Sequence, residues 1–138
     1  RDYRWANELT VKTAFLTLLY DDILYVMDSD LEVERGRADL VMIIRPDMRR
    51  FEILDVLIEF KFVTLKDAGV SGEKARQMSQ EELRAMPPMV EAMSKAREQV
   101  RTNAGLLHKR RDNLRLHGYA VVSLGFERIW WEEVSGTD

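Results

Sequence analysis

The chain has 138 residues, 46% of them hydrophobic, with 21 Lys and Arg against 24 Asp and Glu for a formal net charge of −3. That length and composition predict one folded domain with a proper core and exclude a disordered chain. Cysteine is absent, which excludes disulfides and thiolate-zinc centres and fits a reducing, cytoplasmic setting. No apolar run reaches the length of a membrane span, and the first residues show no signal-peptide pattern.

The sequence opens on Arg1, so a segment of a longer protein is expected. Trp5, Leu9, Phe15, Leu16, Leu19 and Ile23 recur at three- and four-residue steps and predict a helix from Tyr3 to Val26. Asp28-Ser29-Asp30 reads as a break and Leu31 to Glu34 as a short edge strand, with Arg35-Gly36 as a turn. Arg37 to Arg45 reads as a strand, Pro46-Asp47-Met48 as a turn, and Phe51 to Val63 as a long central strand covered on both faces. Gly69, Ser71 and Gly72 suggest a loop, and Glu73 to Ala85 a short polar helix. Pro87-Pro88 fits a first helical turn, and a long helix is expected from Met89 to His117, bent near Gly105 and stopped by Gly118. Tyr119 to Leu124 reads as a buried strand, Gly125 to Arg128 as a turn, and Ile129 to Val134 as a last edge strand. A strand, a long helix and another strand form a crossover, so the central strand and Tyr119–Leu124 should run parallel, while the strands joined by short turns run antiparallel. The expected fold is α/β, a mixed sheet flanked by helices in a single domain over residues 1–138.

Charge is unevenly spread. Six acids and no base lie between Asp21 and Glu34. Lys95, Arg97, Arg101, Lys109, Arg110, Arg111 and Arg115 face only Glu98 and Asp112 in the stretch they span. Such a helix is either an ordinary solvated surface or a track for a phosphate backbone, with Lys95 and Arg101 as contacts.

The chemistry concentrates where two apolar strands meet charge. Glu59 and Lys61 alternate with Phe60 at the end of the central strand, so both point to one face. Asp39 opens the preceding apolar run, and a hairpin between Arg45 and Phe51 would bring Asp39 level with Glu59. Buried charges must pair or hold a metal. Two carboxylates, with the Phe60 carbonyl as a further oxygen, suit Mg²⁺ or Mn²⁺, and Lys61 could orient a water or offset charge on a phosphate. The ordinary alternative is an ion pair of Glu59 with Lys61 at a sheet rim.

Gly36-Arg37-Ala38-Asp39-Leu40-Val41 followed by Ile58-Glu59-Phe60-Lys61 resembles the PD-(D/E)XK nuclease superfamily, and more narrowly the nuclease-like domain attached to prokaryotic AAA-ATPase-like proteins. The resemblance spans about Trp5 to Trp131, and the segment from Thr64 to Pro88 looks longer than usual in the family. It implies a restriction-endonuclease-like αβββαβ core and Mg²⁺- or Mn²⁺-dependent hydrolysis of nucleic acid, DNA ahead of RNA, with an ATPase domain in the same chain. It implies Asp39, Glu59 and Lys61 as catalytic residues, with Glu8 on the first helix in support. It also implies Gln99 as the glutamine of a Gln-xxx-Tyr pattern, although this chain carries Asn103 in place of the tyrosine, and Ala38 stands where the family name has proline. A non-catalytic nuclease-like module that binds nucleic acid or a protein partner for the ATPase is the alternative.

Other polar residues have plainer readings. Glu8 could pair with Lys12, one turn on. Asp55 shares a face with Glu59 but lies well below it, as a hydrogen-bonded carboxylate would. His108 and His117 are read as helix residues, His117 near the negative end of the dipole. Trp130 and Trp131 put one indole on each face of an edge strand, one for the core and one for an interface, a second copy of the chain or a stacked base. Met78, Met86, Met89 and Met93 are read as core or a helix–helix contact.

Overall fold

The computed structural model describes residues 25–33, 36–45 and 55–137. Within them the chain forms strands β1 (Tyr25–Val33), β2 (Gly36–Ile44) and β3 (Asp55–Val63), short helices α1 (Leu65–Ala68), α2 (Gly72–Gln77) and α3 (Gln80–Ala85), the long helix α4 (Pro87–Arg110), and strands β4 (Leu116–Leu124) and β5 (Arg128–Val134). The five strands make one mixed sheet in the order β1-β2-β3-β4-β5. β1–β2, β2–β3 and β4–β5 are antiparallel, and β3–β4, joined through α4, is parallel. The fold is therefore α/β with the crossover that the sequence predicts. The first helix and Glu8 fall among residues 1–24, outside the described residues.

Four boundaries differ from expectation. Asp28-Ser29-Asp30 does not break the chain: it lies inside β1, where Asp28 faces Val41 and Ser29 faces Leu40 across the ladder. The predicted helix end at Tyr25 and Val26 is already strand. Pairing of eight of the nine β1 residues with β2 outweighs the weak strand preference of those side chains.

Thr64 to Ala85 forms three helices instead of a loop and one helix. Thr64, Ser71 and Ser79 each accept from a backbone N–H three residues on, and Ser79 with Glu82 makes a reciprocal capping box. Each hydroxyl restarts a helix. Arg128, across on β5, donates to the carbonyls of Ala75 and Met78 and so covers the end of α2.

The long helix begins at Pro87 and passes through Gly105, but it ends at Arg110 rather than His117. Asn113 adopts φ 59°, the left-handed conformation that asparagine tolerates better than most residues, and turns the chain into β4. His117 is consequently on a strand, paired with Glu133. Gly118 serves close packing. A Cβ on it would lie 2.3 Å from Val100 Cγ1 of α4 and 2.9 Å from Thr137 Cγ2. The helix can lie this low over β4 only because that side chain is missing.

Both faces of the sheet are buried. On one, Val41, Ile43, Leu57, Val63, Leu116, Ala120 and Val122 pack under Met89, Met93, Ala96, Val100, Ala104 and Leu107 of α4. On the other, Leu40, Met42, Ile58, Phe60 and Val121 form a second cluster. β3 contributes alternate residues to each, which explains its near-continuous apolar sequence. Met89 and Met93 are core, as predicted, and Met86 packs against them. Trp130 is 5% exposed and Trp131 61%, so the indoles do divide between core and surface.

Candidate functional site

The site is built where the β2–β3 ladder ends. The described pairs run from Met42↔Val56 to Leu40↔Ile58 and go no further toward the end of β3. The next N–H facing β2, that of Phe60, is taken by a side chain: it donates to Asp39 Oδ2 at 2.8 Å. The carboxyl of Asp39 thus replaces a strand partner and is fixed beside the neighbouring residue, Glu59. Antiparallel register extended by one step from Leu40↔Ile58 puts the two acids opposite each other, on the face that α4 covers. In a strand the N–H and C=O of one residue leave on the same edge, so the Phe60 carbonyl lies on the Asp39 side.

Glu59 is wholly buried, and Asp39 is 8% exposed. One oxygen of Glu59, Oε1, accepts from Asn103 Nδ2 of α4 at 2.7 Å. The other, Oε2, is buried without a hydrogen-bond partner. Burial pushes the Glu59 carboxyl from 4.5 up to about 8, and the adjacent Asp39 carboxyl, close enough to share a proton, adds to the rise. The Asn103 amide opposes this by favouring the charged form. The balance follows from magnitudes. A hydrogen bond to a charged group contributes about 1.5–3 kcal/mol, whereas removing an ion from water costs several kcal/mol before a like charge is placed beside it. The Asn103 amide therefore offsets only part of the rise at Glu59. Burial and the neighbouring acid favour the protonated form of Glu59.

Lys61 does not neutralise the pair, and among the described residues no ion pair joins it to Glu59. It lines an open groove of about 480 Å³ at the end of β3, together with Val63, Pro87, Pro88, Glu91 and Lys95. Lys95 therefore shares a groove with Lys61, held by Glu91 one turn away at 3.2 Å. Gln99 lies one turn before Asn103, and its Oε1 is buried without a partner. Arg101 is exposed and sits about 200° around the helix from Asn103, away from the acids. Arg97 turns to the sheet: its guanidinium makes a bidentate pair with Glu132 at 2.7 and 2.8 Å and lies 5.9 Å from the centre of the Trp130 ring. The basic stretch is thus divided between structural contacts and surface.

Asn103 is the residue that sequence reasoning missed. It stood out only as the absence of a tyrosine. A signal was present, since Met89, Met93, Ala96, Val100, Asn103 and Leu107 form a three–four stripe with one amide in it. A lone amide on an apolar stripe implies a buried partner.

Two carboxylates with a hard amide neighbour suit a cation that takes one or two carboxylates and keeps several waters, as Mg²⁺ and Mn²⁺ do. Among the described residues no group of three or more His, Cys, Asp or Glu gathers, and zinc would want such a set. No helix among the described residues is long and apolar enough to cross a membrane. No family model matches the chain, and no curated protein or solved structure matches it.

Proposed function

We propose that this domain is a metal-dependent phosphodiesterase, a nuclease of the PD-(D/E)XK type with a restriction-endonuclease-like core, acting on DNA. The observation that carries the reading is the pair of adjacent buried carboxyls, Asp39 and Glu59, with one Glu59 oxygen unpartnered and no basic side chain paired with Glu59 among the described residues. Asp39 and Glu59 would hold one Mg²⁺ or Mn²⁺, and the Phe60 carbonyl stands on the same edge. A cation there supplies a polarised phosphate oxygen and a more acidic water. The chain's own part is positional. The Phe60 N–H fixes Asp39, Asn103 fixes Glu59, and Lys61, two residues beyond Glu59 on the same strand, brings positive charge to the groove it lines. Lys95 lies along the same groove.

The test is cleavage of plasmid DNA, single-stranded DNA and RNA by the purified chain, with and without Mn²⁺. Metal-dependent cutting that disappears in Glu59→Ala supports the proposal, and equal cutting by Glu59→Ala refutes it. A second reading, an inert nuclease-like module serving an ATPase, draws on the Glu59 carboxyl itself. Protonated, the pair is satisfied without metal. Such a module would show no carboxylate-dependent Mn²⁺ binding.

A further inference from the structure

We infer that Asn103 is a positioning residue for the acid pair: by holding Oε1 of Glu59 it leaves Oε2 as the oxygen offered to a divalent cation, and so sets the affinity of the site. The inference rests on the metal reading above and extends it to a residue that stands where the resembled family has a tyrosine.

The placement of Asn103 is specific. It is 3% exposed, on a helix stripe whose other members are apolar. An amide buried there without a partner would be destabilising. Its partner is Glu59, 44 positions earlier in the chain. The contact requires α4 to lie close to the sheet, and small residues allow it. Gly118 gives Val100 room, Ala120 stands beside Glu59 in the β3–β4 register, and Ala96 and Ala104 line the same side of the helix.

The chemistry of the residue matters as much as its place. A lysine or arginine at this position would neutralise the acids and occupy the space of a cation. A leucine would take the amide donor away from Oε1 of Glu59. A neutral donor does neither: it binds one oxygen, leaves the negative charge uncompensated, and stops the carboxyl from rotating. Supporting groups of this kind typically change metal affinity by about 10–100-fold.

The experiment titrates Mn²⁺ into the whole chain by calorimetry, with the melting temperature of each metal-free protein recorded beside it. Asn103→Leu fills the space without a donor. Asn103→Ser keeps a donor too short to reach, and covers the case in which the leucine variant does not fold. The expected result is a Mn²⁺ Kd weakened about 10–100-fold in Asn103→Leu and in Asn103→Ser, in protein that remains folded. A residue with a merely structural role would lower the melting temperature and leave the Kd where it was. A folded variant that binds Mn²⁺ within about twofold of wild type overturns this inference alone, by the scale of that expected change. A wild-type chain that binds no Mn²⁺ overturns it together with the metal reading.

Discussion

Asp55 and Glu59 lie on the same strand and the same face, both fully removed from solvent. Their surroundings differ. Asp55 Oδ2 accepts the backbone N–H of Arg115 at 2.9 Å, and the Asp55 N–H donates to the Arg115 carbonyl at 3.1 Å. That acid ties the start of β3 to the start of β4, taking up the chain where it leaves α4. Glu59 has the Asn103 amide on one oxygen and a second acid beside it, and its other oxygen has no donor at hydrogen-bond distance among the described residues. Burial alone therefore does not mark a functional carboxylate. The distinction lies in how completely the fold supplies donors for the carboxyl oxygens.

The comparison can be broken by exchanging the acids' roles. The largest effect is expected for Glu59→Gln, which should weaken Mn²⁺ binding by at least about 100-fold, the upper end of what even a supporting residue costs. It should also leave the metal-free protein as stable as wild type or more so, since the amide stays uncharged beside Asp39 at every pH. Asp55→Ala should do the reverse. It should cost about 2–4 kcal/mol in chemical denaturation, because a charged hydrogen bond is lost within the core, and leave Mn²⁺ affinity in the folded protein unchanged.

Acidity sharpens the same contrast. The Glu59 carboxyl titrates near 8 in the folded chain against an ordinary 4.5, so the folded state keeps a proton that the unfolded state has released. This group's stabilising effect is complete below about pH 4.5 and is lost as pH rises to about 8. Urea melts of metal-free protein from pH 5 to pH 8.5 should show a decline on the order of 3–5 kcal/mol from this source. Glu59→Gln should flatten it. A decline that survives in Glu59→Gln would assign the effect to another group.

A smaller effect is expected at the contact that sets the helix depth. Gly118→Ala places a methyl 2.3 Å from Val100 Cγ1 and should cost about 1–3 kcal/mol as α4 shifts outward. Because the shift lengthens the Asn103–Glu59 contact, Mn²⁺ binding should weaken with it. Calorimetry at matched folded fraction would check this.

Much of this arrangement was legible in the sequence, and the gaps have physical causes. Alternation along Ile58-Glu59-Phe60-Lys61 places Glu59 and Lys61 together on one face, and the hairpin arithmetic brings Asp39 level with Glu59. The long helix between two apolar runs implies the parallel pair. Trp130 and Trp131 divide as period-two geometry requires. β1 was hidden because Asp28, Ser29 and Asp30 have turn-like chemistry, and only pairing with β2 makes them a strand. The end of α4 was misplaced because glycine is the usual helix stop, whereas Asn113 does the work here and Gly118 is committed to packing. Asn103 was missed because its partner is distant in the chain, and no local pattern names the partner of a buried amide.

On the proposed function, Asp39 and Glu59 act as one divalent-cation site. The most direct measurement is a Mn²⁺ titration followed by electron paramagnetic resonance, comparing wild type with Asp39→Asn, which leaves Glu59 and Asn103 untouched. The account predicts one Mn²⁺ per wild-type chain, displaced by Mg²⁺, and loss of that ion in Asp39→Asn. Equal binding by both proteins, or none by either, would contradict it.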